Sequence, residues 1–316
     1  MYKRIDPHDR KSILKYHEDE KRLIREHEGK ENITERYLAK EVNADILSEL
    51  SALLSPFHEK GIRPVLATIR MENVDASKSF AKGIEKKMHQ IGIDVQEHVL
   101  SSDAEEADAV ALIQKLSKEA GVHGILLMEP LSAEWDMSHL REAIAPEKDV
   151  DGTTAQSLGK LVAGEPTFVH TAPAAVMALL DHYGIDLRGK QVCVIGSGML
   201  VGRPLSLLLS SRMATVVLCN VATKDVAHLA RQADIIVSAA GVADLVDETY
   251  VREGQIVIDV GVSMKEGKLT GDVNLERIAP IVRAATPTPG GIGAITTTML
   301  ARQLVEAFLG QRRTQR

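Results

Sequence analysis

The stretch VCVIGSGMLVGRP, residues 192–204, decides the fold. Four apolar residues run straight into Gly196-Ser197-Gly198, Gly202 follows four positions later, and a helix opens at Pro204. Glycine is needed where backbone approaches a phosphate closely or turns with positive φ. The helix start beyond it offers N–H groups and a positive dipole end to an anion. The spacing Gly-x-Gly-x-x-x-Gly is not the commoner Gly-x-Gly-x-x-Gly, but strand, loop, helix and next strand fall in the order of a dinucleotide-binding unit. An empty strand-to-helix turn is the plainer alternative.

Outward from that loop the alternation continues. Downstream strands are expected at Val192–Ile195, Thr215–Leu218, Ile235–Ala239, Ile256–Val260 and Ala284–Ala285. Upstream, residues 37–54 carry apolar side chains at helical spacing. PVLATI (64–69), Val95–Leu100 and GILLM (124–128) read as strands separated by helices near 76–91 and 107–120. Strand and helix in turn predict an α/β protein of two lobes, with parallel sheets covered on both faces. The expected divisions are a charged extension over 1–32, an α/β catalytic lobe over 33–150, a Rossmann-type NAD(P) lobe over 151–295, and a C-terminal helix, 296–316, packing back on the first lobe. The extension, with KSILKYHEDEKRLIREHEGKE at 11–31, mixes both signs of charge and reads as a surface helix or arm.

Composition narrows the function. The chain has 316 residues, 38 Lys+Arg against 44 Asp+Glu, and a net charge of −6, which argues against gripping nucleic acid or an anionic membrane. Aromatics at 3% leave little for base stacking. Cys193 and Cys219 are too few for a disulfide framework or a thiolate zinc site, and the histidines lack ligand spacing, so no metal is expected. With no leader and no spanning run, the expected place is the cytoplasm.

At the end of the second downstream strand, LCNVAT (218–223), no acid waits for a ribose hydroxyl and no arginine for a 2′-phosphate. Asn220 is the available polar group. NAD is therefore favoured over NADP, unless Arg203 bends back.

Four further segments occur in order: KDVDG (148–152), IVIDVGV (256–262), GDV (271–273) and TPTPGGIG (286–293). With the glycine loop they resemble the methylenetetrahydrofolate dehydrogenase/cyclohydrolase (FolD-type) family over residues 33–308. The resemblance implies a folate cleft between two lobes, a homodimer, and two reactions. In the first, hydride leaves the methylene bridge of 5,10-methylenetetrahydrofolate for NAD(P). In the second, the methenyl product is hydrolysed to 10-formyltetrahydrofolate. It implies cofactor contacts from Gly196, Ser197, Gly198, Val201, Gly202, Arg203, Asn220, Thr223, Gly241 and Val262. It places substrate contacts at Ser77, Phe80, Ile84, Met128, Asp149, Pro289, Gly290 and Gly291, with Asp151 as the residue that meets the pterin.

Several family positions are changed. Ser77 stands, but the family tyrosine is Phe80, its lysine Ile84 and its glutamine Met128. Its ProCysThrPro is His170-Thr171-Ala172-Pro173; the arginine after the first glycine is Ser197, and the HisSer pair is Asn220-Val221. Phenol, amine and amide are lost together. Proton transfer needs a titratable group within reach, so cyclohydrolase activity is expected to be weak or absent. Hydride transfer asks mainly for alignment, and is expected to survive. Lys87, one turn beyond Ile84, and Glu129, beside Met128, are candidate replacements as acid or base. Two other readings use the same residues: a paralogue acting on another one-carbon or pterin-like substrate, and an inactive folate- or dinucleotide-binding regulator.

Overall fold

The computed structural model describes residues 34–129, 131–265 and 268–314. The charged extension expected over 1–32 lies outside the described residues. The chain opens with β1 (Glu35–Arg36), and the first lobe then runs α1 (Ala39–His58), β2 (Val65–Met71), α2 (Asp75–Gln90), β3 (Asp94–Leu100), α3 (Glu106–Lys118), β4 (Gly124–Leu127) and α4 (Met137–Glu142). Two helices follow, α5 (Ala155–Ala163) and α6 (Thr171–His182). The second lobe runs β5 (Gln191–Ile195), α7 (Gly202–Ser211), β6 (Thr215–Cys219), α8 (Val226–Gln232), β7 (Ile235–Ser238) and β8 (Ile256–Asp259). It continues through the hairpin β9 (Ser263–Lys265) and β10 (Lys268–Thr270), α9 (Leu275–Ile278) and β11 (Ala284–Ala285) to α10 (Ile292–Thr314).

Both main sheets are parallel. The first has the order β3-β2-β4, the second β1-β11-β8-β7-β5-β6. Alternation along β2 and β4 sends Leu66, Leu126 and Met128 into one apolar cluster and Ala67, Ile69, Ile125 and Leu127 into another. Both faces are thus buried, as a parallel sheet requires. Arg70 is buried within β2 because Glu97 on β3 accepts from its Nε at 2.8 Å. Cys193 and Cys219 are buried with sulfurs 3.8 Å apart, and burial pushes the Cys193 thiol up to about 12.

The sequence divisions differ from the structure at two places. Glu35 and Arg36, assigned to the first lobe, form β1 and pair with Ala284 and Ala285 at the edge of the second sheet. The C-terminal helix starts at Ile292, so a boundary at 295/296 cuts its first turn. α10 packs against α6 and α1, and also touches α2 and β4. One helix therefore carries the cores of both lobes, and its start faces the space between them.

Candidate functional site

A cavity of about 300 Å³ opens between the lobes. Leu126 to Glu129, at the end of β4, form one wall with Phe80 of α2. Asp151 and Thr153 come from the loop before α5, and His170, Thr171 and Ala172 from the start of α6. Leu200, of the glycine loop, and Thr296, Thr297 and Leu300, of α10, close the other side.

Two packing devices bring Asp151 and His170 together. Gly152 has φ +61, and a Cβ there would stand 2.5 Å from Phe168 O, so only glycine lets the two segments touch. Gln303 of α10 then clamps both: its Nε2 donates to Val150 O at 3.0 Å and Val169 O at 2.8 Å, while its Oε1 accepts the Val169 N–H at 2.9 Å. His170 Nε2 ends 3.5 Å from Asp151 Oδ2. Burial pushes the Asp151 carboxyl up, opposed by the His170 ring and the Thr171 N–H.

The other expected substrate residues divide. Phe80 and Met128 line the cavity; Phe80 is 52% exposed. Ser77 falls on α2, its side chain outside the described set. Ile84 does not line the cavity: at 1% exposure it belongs to the apolar cluster of Leu66 and Met88. Asp149 does not line it either. Its carboxylate accepts the Thr153 N–H and Thr154 N–H, each at 3.0 Å, and the Ser157 hydroxyl at 2.6 Å, so it ties the start of α5. Pro289, Gly290 and Gly291 form the turn into α10 outside the cavity wall; Gly290 O accepts the Ala39 N–H at 3.0 Å. Thr296, Thr297 and Leu300, further along that helix, take the cavity position instead.

Neither replacement base fits its expected role. Lys87 is half-buried on α2 but does not line the cavity, and burial lowers its ammonium pKa. Lys87 shares the helix phase of Phe80 but stands two turns further along α2, beyond the cavity lining. Glu129 lines the cavity, yet both its oxygens are held by Arg141, at 2.9 and 2.6 Å. A carboxylate in such a fork is a structural ion pair, not an available base. Among the described residues no group of three His, Cys, Asp or Glu could hold a metal ion.

The expected dinucleotide positions gather at the C-terminal ends of four parallel strands: Gly196 after β5, Asn220 after β6, Gly241 after β7 and Val262 after β8. That is where open α/β sheets bind ligands. Gly196 has φ +109, and a Cβ on it would strike Ala239 O; a Cβ on Gly202 would strike Gly196 O. Gly198 has nothing within 4 Å of its Cβ position, leaving a cradle over the start of α7 that a pyrophosphate fits. Arg203 folds back on the loop, its Nε donating to Ser197 O at 3.0 Å and its N–H to Gly198 O at 3.1 Å. It does not reach toward Asn220, whose Oδ1 accepts the Ala222 N–H at 2.9 Å while its own N–H donates to Thr223 Oγ1 at 2.9 Å. Val201 is the residue before α7.

Asp259 and Asp272 organise this rim, and residue types alone do not mark them as doing so. Asp272 accepts the N–H groups of Ala240, Gly241 and Val242 at 2.7, 3.2 and 2.8 Å, setting the loop after β7. Asp259 accepts from the Asp272 and Val273 N–H groups and the Thr288 hydroxyl, and burial pushes its carboxyl up to about 6. Gly261 and Gly271 are glycine because a Cβ on either would strike one of these carboxylates. The pairing is crossed: Gly261, two residues after Asp259, makes room for the Asp272 carboxylate, and Gly271, beside Asp272, makes room for that of Asp259.

Comparison with known proteins decides the family. The catalytic-domain model of tetrahydrofolate dehydrogenase/cyclohydrolase matches residues 35–151, and its NAD(P)-binding-domain model matches 170–312. The chain belongs to the tetrahydrofolate dehydrogenase/cyclohydrolase family. By that membership it is an NAD(P)-dependent dehydrogenase. It is 40% identical over 271 residues to the bifunctional protein FolD of Aquifex aeolicus, covering 85% of this chain and 93% of that one. The crystal structure of the bifunctional FolD enzyme from Campylobacter jejuni matches with TM-score 0.82 at 36% identity, over 85% of this chain and 96% of that one. That of the Trypanosoma brucei FolD, complexed with NADP and an inhibitor, matches with TM-score 0.84 at 29% identity, over 89% and 99%. No described helix is long and apolar enough to cross a membrane.

Proposed function

We propose that this protein oxidises 5,10-methylenetetrahydrofolate to the methenyl cation with NAD(P)+, and hydrolyses that cation more slowly than family members with an amine in the cleft. The observation that carries the reading is the cavity lining. Phe80, Met128 and Leu300 meet the substrate side, Leu200 of the glycine loop closes the cofactor side, and among the described residues no amine lines the space. A bound nicotinamide supplies the hydride acceptor. Gly196, Gly198 and the start of α7 would hold its pyrophosphate, and Asn220, Thr223, Gly241 and Val262 border the rest of the groove. The chain's own part is alignment and exclusion of water: the apolar walls protect a cation that water would destroy. Asp151 meets the pterin, and Phe80 and Met128 flank it.

NAD is favoured over NADP on the same grounds as before: Arg203 is engaged with its own loop. A homodimer in the cytoplasm completes the proposal. The test follows absorbance of reduced nicotinamide with methylenetetrahydrofolate and either dinucleotide, and methenyl hydrolysis separately. Reduction with NAD and slow hydrolysis support the reading. Failure to reduce either dinucleotide rejects it in favour of a paralogue with another substrate.

A further inference from the structure

The glycine loop offers donors to an anion that its own side chains do not satisfy. The N–H groups of Ser197, Gly198, Met199 and Leu200 donate to no acceptor among the described residues. Four successive open donors ahead of α7 make a nest for negative charge. The loop's own cation is turned away: Arg203 folds back, its Nε donating to Ser197 O at 3.0 Å. The family's loop arginine is Ser197 in this chain. A second cation reaches the same loop from the other lobe. Arg141 of α4 gives Nε and Nη2 to the two oxygens of Glu129, at 2.9 and 2.6 Å. That fork fixes the guanidinium plane, and the remaining Nη1 points across the cleft to Met199 Sδ at 3.9 Å. The Arg141 side chain is 11% exposed, so it is set in place and is not a loose surface arm. A thioether is a weak acceptor on an adaptable, unbranched side chain. Nη1 is therefore a strong donor with a poor partner.

We propose that Arg141 is a dinucleotide-binding residue which the first lobe supplies across the cleft: the terminal nitrogen that Glu129 leaves over donates to the pyrophosphate held on the glycine loop. The Met199 side chain yields its place to a phosphate oxygen, which accepts from a guanidinium far better than sulfur does. The loop N–H groups hold the anion from the second lobe and Arg141 holds it from the first, so the dinucleotide ties the lobes together. Leu200, next to Met199, lines the cavity, and pinning the loop pins that wall. The proposal rests on the dinucleotide half of the reading above and needs no folate.

Glu129 acts on this contact in two ways. Its carboxylate aims the guanidinium, and its charge offsets that of the arginine. Glu129→Gln keeps an acceptor for the aim and removes the opposing charge. A role confined to joining β4, α4 and the loop is damaged by a change in either partner. A role in holding a phosphate is damaged by loss of the arginine and strengthened by loss of the carboxylate charge.

The experiment compares full-length wild type, Glu129→Gln, Arg141→Lys, and a double variant, Glu129→Leu with Arg141→Leu, in which neither charge is left stranded. Fluorescence titration gives the Kd of reduced dinucleotide in the absence of folate. Displacement gives that of ADP-ribose, which carries the pyrophosphate but no nicotinamide. The double variant is expected to melt near wild type without ligand and to bind both ligands about tenfold more weakly. The difference is expected to shrink as KCl rises from about 0.05 to 0.5 M. Arg141→Lys keeps the charge without the fork and is expected to lose about threefold. Glu129→Gln is expected to bind both ligands about threefold more tightly than wild type. Wild-type affinity in the double variant and in Arg141→Lys would overturn the proposal, as would an equal loss in Glu129→Gln or a wild type that binds neither ligand. A loss for the reduced dinucleotide but not for ADP-ribose would also overturn it, by placing Arg141 at the nicotinamide. If binding depends on Arg141 but methylenetetrahydrofolate reduces neither dinucleotide, the assignment to Arg141 stands and the substrate reading falls.

Discussion

Arg141 holds both carboxylate oxygens of Glu129, and its remaining terminal nitrogen lies 3.9 Å from the sulfur of Met199 in the glycine loop. One arginine thereby joins the end of β4 to the cofactor side of the cleft. The Arg141 side chain is 11% exposed and that of Glu129 26%, so the pair is partly desolvated. Removing the arginine strands a carboxylate beside an apolar cavity. Arg141→Ala is expected to lower the unfolding free energy by about 1–3 kcal/mol in urea titration. Arg141→Lys recovers little of it, because an ammonium cannot make the fork. Full stability in Arg141→Ala would show the pair to be solvated and idle.

Asp149 and Asp151 are two residues apart and do unlike things. Asp149 is fully buried and holds three donors at the start of α5. Asp149→Ala leaves those donors unmet, and is expected to cost about 2–4 kcal/mol of stability. The KM for the folate substrate should stay near the wild-type value in the fraction that remains folded. A change in KM without a change in melting temperature would restore Asp149 to the binding site.

That division was not legible in KDVDG. Both acids occupy polar positions of one loop, and which of them faces the cleft is set by Gly152 packing on Phe168 and by Gln303 reaching across from the last helix. The same holds for His170, whose meeting with Asp151 depends on those long-range contacts. The strand-helix alternation was legible because apolar periodicity is local, and so was the glycine loop, where the sterics are local too. β1 was not, because two residues carry no period. On α2 the spacing put Phe80 and Ile84 on one face; packing turns the first to the cavity and the second into the core.

His123 gives a pH prediction. Its Nδ1 accepts the Val65 N–H at 3.0 Å and its ring packs edge-on to Phe308. Burial, with Lys148 and Arg312 nearby, pulls its pKa down to about 4. A base whose pKa is depressed on folding binds fewer protons folded than unfolded. Its contribution is complete above the unfolded value near 6.5, and falls away as pH drops toward 4. The unfolding free energy of wild type, from urea titration, is expected to fall between pH 7.5 and 5 by about 1–2 kcal/mol more than that of His123→Gln, solvent contact having been discounted. Parallel pH profiles for the two proteins would refute this.

The glycine loop separates folding from binding. A Cβ on Gly202 strikes Gly196 O, so Gly202→Ala has to move the start of α7 against β5. A Cβ on Gly198 meets nothing within 4 Å. Gly198→Ala is therefore expected to melt within about 0.5 kcal/mol of wild type, yet to bind reduced dinucleotide about tenfold more weakly, because the methyl occupies the cradle. Gly202→Ala should lose both stability and binding. Fluorescence titration beside thermal melts reads the difference, and undiminished binding in Gly198→Ala would place the pyrophosphate elsewhere.

Ile84 tests whether a missing amine limits hydrolysis. It is 1% exposed in the apolar cluster with Met88 and Leu66, one helical turn from the cavity-lining Phe80. Ile84→Lys puts an ammonium where there is no buried partner, and its long stem can reach the cavity only past Phe80. Stability is expected to fall by about 2–4 kcal/mol. Burial depresses a lysine pKa toward neutrality, which is where a general base works best. Methenyl hydrolysis is therefore expected to rise relative to hydride transfer despite the weaker fold, and more in the double variant with Phe80→Tyr. A destabilised variant whose hydrolysis does not rise would mean that the apolar residues of α2 are not what slows the second reaction.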